Sequence, residues 1–177
     1  IGPPERSGAI GRAMAEAISS MSAVTIASIR GHCIGGGVVL ASACDLRIAG
    51  AGASFTSAFA RMGLVPDGGS TFTLPRLVGV GRALRLLMAG ETVDAARAHA
   101  IGLVDEVIDD AGLDEGVQTM AEKILGGAPA SVRAIKRLVR SGEAGALEQT
   151  LATEGAAQLQ ALQGPEFRRR LEAFLAR

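Results

Sequence analysis

The chain has 177 residues, of which 48% are hydrophobic, enough to bury a core and so to form one globular domain with helical extensions. Eighteen basic residues balance eighteen acidic ones, and there is no Trp or Tyr and only five Phe, which argues against nucleic-acid and anionic-membrane partners while leaving a local basic patch open. Cys33 and Cys44 lack zinc-type spacing, so no metal site is expected, and no apolar run is long enough to span a bilayer; two reduced, buried thiols in a cytoplasmic protein are the default.

In chain order, Glu5 to Met21 has helix-forming composition with Ile10, Met14, Ala17 and Ile18 on one face, and an apolar strand follows near residues 24 to 30. Gly35, Gly36 and Gly37 open a helix that ends near Cys44. Asp45 to Ala49 then alternates as a second strand, with Gly50 and Gly52 in its turn. Ser54 to Thr56 reads as a short strand, Ala58 to Met62 as a helical turn, and Gly63 to Gly69 as a loop holding Asp67. Helices are expected around Ser70 to Val78, where Pro75 should kink or split the first, and around Gly81 to Ala89. A helix near Asp94 to Ala100 leads into a strand over Leu103 to Ile108. Beyond Asp109 strand signals stop, and Leu113 to Leu125, Ser131 to Arg140, Ala146 to Leu162 and Pro165 to Ala176 read as helices, with Pro129 and Pro165 suited to their starts.

The glycine triplet is the most informative local feature. A helix N-terminus carries unpaired N–H donors and the positive end of the dipole, so it holds an anion, or an oxygen that becomes one during reaction. Glycine there admits close approach to the main chain. A tight turn packing strand on helix is the competing reading.

The succession Ile29 to Gly37 (IRGHCIGGG) followed by Leu40 to Ala49 (LASACDLRIA) resembles the signature of the crotonase, or enoyl-CoA hydratase/isomerase, superfamily. Phe55, the loop Gly63 to Thr71, Leu74 to Gly79, Ala95-Ala96 and Gly102 to Val107 continue the likeness in order, and Pro129, Lys136, Phe167 and Ala173 to Leu175 extend it more weakly. The resemblance implies an α/β fold in which ββα units wind into a spiral, with residues 1–110 as a partial spiral core and 111–177 as a C-terminal helical region for trimerisation. It implies an acyl-CoA thioester as substrate, no further cofactor, and a homotrimer or dimer of trimers. Relatives carry an N-terminal segment with early strands, CoA-binding surface and a second oxyanion-hole amide. That segment is expected to be missing here, whether cleaved, lying outside this sequence or absent from the gene, since the chain starts at Ile1.

In this family a thioester oxygen gains charge as the neighbouring carbon loses a proton or accepts a nucleophile. The match makes the Gly36 amide one donor to that oxygen, and places Gly35, Ile34, Val39, Phe59 and Gly68 around the substrate. Losing one such donor costs roughly 3 kcal/mol of transition-state stabilisation. Hydratases hold water with two glutamates, and the matching positions here are Val39 and Phe59, which cannot accept a proton. They read equally as packing residues that dry the pocket.

Isomerases of the superfamily, including ring-opening isomerases of aromatic acyl-CoA breakdown, resemble this chain in placing an acid in the Pro-Asp-Gly-Gly loop. Asp67 would then take a proton beside the thioester carbonyl and return it two carbons away, with apolar neighbours raising its pKa. Its competing role is a backbone-bonded turn. His32 and Cys33 are adjacent, so they point to opposite faces and make no nucleophile-base pair. His99 reads as a packing or surface residue and Glu91 as structural. Arg168, Arg169, Arg170 and Arg177 suit CoA phosphates from a neighbouring subunit or a solvated helix face. Dinucleotide-binding and P-loop spacings are absent. The rivals to an isomerase are a non-catalytic acyl-CoA-binding protein of the same fold and a hydratase with atypical acid/base groups.

Overall fold

The strands sort into two sheets because the chain steps from one to the other at each short turn. In the computed structural model, which describes residues 4–141 and 144–176, β1 (Ile26–Ile29), β3 (Leu46–Gly50) and β6 (Glu106–Ile108) form a parallel sheet in the order β1-β3-β6. The second sheet has the order β2-β4-β5, with β2 (His32–Ile34) parallel to β4 (Ser54–Thr56) and β5 (Thr92–Asp94) antiparallel to β4. Ile26 is in register with Leu46 and His32 with Ser54, so the first two strand pairs are successive turns of one winding. Parallel neighbours need a crossover, and β2 with α2 (Gly36–Ala43) supplies it between β1 and β3. This is the wound ββα pattern expected from the resemblance.

The core between the sheets and their helices is mostly aliphatic, as the shortage of aromatics requires: Ile29, Ala49, Leu74, Val93, Leu103 and Val104 are buried in one cluster with the single aromatic Phe55. α3 (Ser70–Val78) and α4 (Val80–Ala89) pack on each other, α5 (Ala95–Ala100) packs on β5 and β6, and α6 (Leu113–Leu125) covers β1 and β3. α8 (Ala144–Gln163) lies against α1 (Pro4–Ser20) and α3, and α9 (Pro165–Leu175) against α8. α7 (Pro129–Ser141) is fastened by charge. Lys136 Nζ donates to Asp45 Oδ2 at 2.6 Å and Arg140 donates to Asp45 Oδ1 at 3.0 Å, while Asp45 also accepts from the backbone and hydroxyl of Thr25.

Several expectations change. α1 does not bury the expected face, since Ile10, Met14 and Ala17 are exposed and Ile18 is only half-buried; among its residues of described burial Ala15 is the buried one, and the small Gly11 lets the helix backbone settle against the loop at residues 67–68 beside α2. Pro75 does not split α3, which continues for three residues beyond it to Val78. The last strand is shorter than Leu103 to Ile108. The N–H groups of Leu103 and Val104 bond back to Ala98 O at the end of α5, and pairing with β3 begins only at Glu106. β2 and β5 are strands of three residues each that composition did not delimit. Cys33 is buried as expected, but Cys44 is only half-buried.

Candidate active site

Gly35 shapes the start of α2. Its φ of +51° lies in the region that favours glycine, its N–H donates to Thr56 O at 2.9 Å, and its carbonyl accepts from Val39 N at 3.2 Å. The helix N-terminus is thereby pinned to the end of β4. The N–H groups of Gly36, Gly37 and Val38 have no backbone acceptor among the described residues, as first-turn amides generally do not. The two remaining glycines serve different ends. A Cβ on Gly37 would meet Cys33 Sγ at 3.4 Å, whereas nothing stands within 4 Å of one on Gly36, which is exposed. Burial pushes the Cys33 thiol up to about 11, so the group beneath the triplet is neutral and does not oppose a developing anion.

Asp67 sits in the loop between the 3-10 turn Ala60–Met62 and α3, and tethers at both ends hold that loop. Val65 N–H donates to Oε1 of the buried Gln158 on α8 at 3.2 Å, and Ser70 Oγ donates to Asp67 O at 3.1 Å. Thr73 Oγ1 donates to Ser42 Oγ on α2 at 2.9 Å. Gly68 and Gly69, with φ of +62° and +83°, turn the chain into α3. Asp67 is half-buried, and its carboxylate faces α1: a Cβ on Gly11 would lie 3.0 Å from Oδ2 and 3.2 Å from Oδ1. Gly68 is wedged between helices, since a Cβ on it would fall 2.5 Å from Val39 Cγ1 and 3.1 Å from Gly11 O.

These contacts place the loop beside the first turn of α2. Gly36 and Val39 are three residues apart on one helix face, roughly 4.5 Å along the axis. Val39, which is buried, touches Gly68, the neighbour of Asp67. Phe59 is half-buried, and its Cζ is 4.0 Å from a Cβ built on Gly35. Ile34, next to Gly35 at the end of β2, is 52% exposed, so this side is open. The fold therefore gathers Gly35, Gly36, Val39, Phe59, Asp67 and Gly68 around one end of α2, with Ile34 on the rim.

Other candidates fall elsewhere. His32 is exposed and its Nδ1 is hydrogen-bonded to Ser54 Oγ at 2.8 Å, while Cys33 points into the core, so the two do face opposite ways. Asp94, on β5 directly opposite Ser54, uses its carboxylate to cap α5 by accepting from Arg97 N. His99 is exposed, and Glu91 pairs with Arg85 at 2.6 Å, a structural tie at the end of α4. Arg168 and Arg169 are exposed on α9, and Arg177 lies outside the described residues. Gly11 is the site neighbour that the sequence reading missed. A glycine inside a helical pattern costs about 1 kcal/mol relative to alanine, and that cost was the available signal.

Cavities of about 680 and 650 Å³ adjoin α7 instead, the first lined by Cys44, Asp45, Phe72 and Ile135 at the far end of α2 from Gly36. Neither reaches Asp67 or the first turn of α2, so the chemistry points to the open end of α2. Among the described residues no three His, Cys, Asp or Glu side chains are grouped to hold a metal ion, and no helix is long and apolar enough to cross a membrane.

Residues 9–177 match the protein family described as enoyl-CoA hydratase/isomerase. The chain is 34% identical over 152 residues to the 1,2-epoxyphenylacetyl-CoA isomerase of Escherichia coli, covering 86% of this chain and 58% of that protein. It is 35% identical over 147 residues to the crotonyl-CoA hydratase of Syntrophomonas wolfei, covering 83% of this chain and 56% of that one. A crystal structure of an enoyl-CoA hydratase from Mycobacterium avium subsp. paratuberculosis superposes with a TM-score of 0.92 at 28% identity, over 98% of this chain and 70% of that one. The chain thus spans less than two thirds of the curated relatives it matches.

Proposed function

Because this chain belongs to the enoyl-CoA hydratase/isomerase family, we propose that it forms the catalytic part of an acyl-CoA isomerase in which Asp67 carries the proton and the Gly36 N–H stabilises the enolate. The observation that carries this reading is the environment of Val39. One turn beyond Gly36, where hydration requires a carboxylate, a buried isopropyl group packs on Gly68, and the neighbouring residue of the loop is Asp67.

In the proposed reaction the thioester oxygen lies at the start of α2, where the Gly36 N–H and the helix dipole favour the charge it acquires. The Asp67 carboxylate removes a proton from the carbon beside the carbonyl, the electron pair delocalises onto the thioester oxygen, and the same proton returns two carbons away as the double bond shifts. One carboxylate suffices because the proton is conserved. The resemblance assigns the second oxyanion donor to residues beyond this chain. Water addition needs groups that hold and deprotonate water, and neither Val39 nor Phe59 does so.

A homotrimer or pair of trimers in the cytoplasm completes the proposal. Val80, Leu84 and Met88, 65%, 51% and 71% exposed, form an apolar stripe along α4 at helical spacing, which supports burial against another copy. Assay of the protein against 2-enoyl, 3-enoyl and ring-epoxide CoA thioesters tests the reading. Conversion of a 3-enoyl or epoxide substrate that Asp67→Asn abolishes is expected; hydration of 2-enoyl-CoA as the dominant activity, or tight binding with no turnover of any thioester, refutes it.

A further inference from the structure

The carboxylate of Asp67 lies flat against the backbone of α1. A Cβ built on Gly11 would stand 3.0 Å from Oδ2, 3.1 Å from Cγ and 3.2 Å from Oδ1, so all three atoms of the group crowd the one missing side chain. The carbonyl of Gly11 meets the same loop, 3.1 Å from where a Cβ of Gly68 would be, and Val39 closes the opposite side. Residues 67 and 68 are therefore gripped between α1 and α2. Glycine weakens a helix interior, and at this position its compensation is the contact it permits.

From this geometry we propose that Gly11 is a positioning residue: α1 supplies a bare stretch of backbone that sets where the Asp67 carboxylate stands and keeps solvent from that face of it. The inference rests on the isomerase reading, in which Asp67 carries the proton. Gly11 touches no reacting atom in that reading and acts only through Asp67. A methyl at residue 11 sits inside the contact distance of the carboxylate, which must shift by a few tenths of an ångström. Proton transfer depends steeply on such placement.

The test uses five variants of the full protein, assayed on the substrate that wild type converts. Gly11→Ala is expected to lower kcat about tenfold with KM within twofold of wild type. In an Asp67→Asn background, adding Gly11→Ala is expected to change the residual rate by less than twofold, which a general structural defect would not produce. Asp67→Glu provides a second route that leaves α1 intact, because its extra methylene drives the carboxylate into Gly11, and a loss of tenfold or more in kcat is expected. Ala13→Ser, on the exposed side of α1, is expected to match wild type. Wild-type kcat in Gly11→Ala or in Asp67→Glu, together with an inactive Asp67→Asn, overturns the positioning role and leaves the isomerase reading standing. Full activity in Asp67→Asn overturns that reading itself.

Discussion

Val39 rests on the α-carbon of Gly68: Val39 Cγ1 occupies the space 2.5 Å from where a Cβ of residue 68 would stand. The contact joins the first turn of α2, whose amides are unpaired, to the loop that carries Asp67. An apolar side chain at 39 and a glycine at 68 are thus one packing solution, and the same solution keeps an acid out of position 39, two residues beyond the glycine triplet.

Replacing Gly68 is expected to be costly on two counts, its φ of +62° and the overlap with Val39. Gly68→Ala should destabilise the fold by about 3 kcal/mol in urea denaturation. Val39→Ala makes room for the new methyl, so the double variant should lose less than the sum of the two singles. Simple additivity would show that the contact does not carry the cost.

Asp67→Asn is expected to abolish proton transfer while leaving the fold in place, since the amide has the same shape. A loss of about 10²–10⁴-fold in kcat is the scale for removing a positioned general base. Steady-state kinetics with circular dichroism on the same sample checks both halves of the statement.

The clamp on α7 predicts an acid-dependent stability. Burial alone raises the pKa of Asp45, but hydrogen bonds from Lys136, Thr25 and Arg140 outweigh it and hold the carboxyl below its ordinary 3.8. A depressed folded pKa contributes stability that is fully present above the unfolded value, near pH 4, and is lost as pH falls through the folded one. Asp45→Asn should flatten that acid limb below about pH 4 in thermal melts. Asp45→Ala should cost about 3 kcal/mol at pH 7, because it leaves Lys136, whose side chain is 9% exposed, with the Ala23 carbonyl but without its counter-charge.

On α4, Leu84→Glu places a charge in the middle of the exposed Val80, Leu84, Met88 stripe. If that stripe is covered by another copy, light scattering after size exclusion should show the trimer or hexamer mass of wild type falling to that of the monomer. A monomeric wild type, or an unchanged mass in the variant, would remove the stripe from the interface.

Much of the architecture was legible from local pattern. α2, α4 and the helices from α6 onward follow from helical periodicity and from Gly and Pro at their ends, and β1, β3 and β4 from apolar runs bounded by turns. Three-residue strands such as β2 and β5 are too short for alternation to register, and their identity comes from the partners they find on either side of β4. Leu103 and Val104 have strand-forming side chains, yet bonds to Ala98 O hold them at the end of α5. The face that α1 buries was misjudged because the large residues Ile10 and Met14 suggested one side, while the approach of the helix to the Asp67 loop needed the small residues on another.

By itself the amino-acid sequence determined which chemistry could reside here. Gly36 offers a bare amide at a helix start, Asp67 offers one carboxylate, and Val39 and Phe59 offer none, because side-chain chemistry belongs to each residue wherever the chain carries it. Only the tertiary structure decided that Asp67 meets the first turn of α2 through Gly68 and Val39, and that Gly11 lies against its carboxylate. Those contacts join residues 11, 39 and 67, far apart in the chain, and such distances are set by how α1, α2 and the loop pack, which no local pattern encodes.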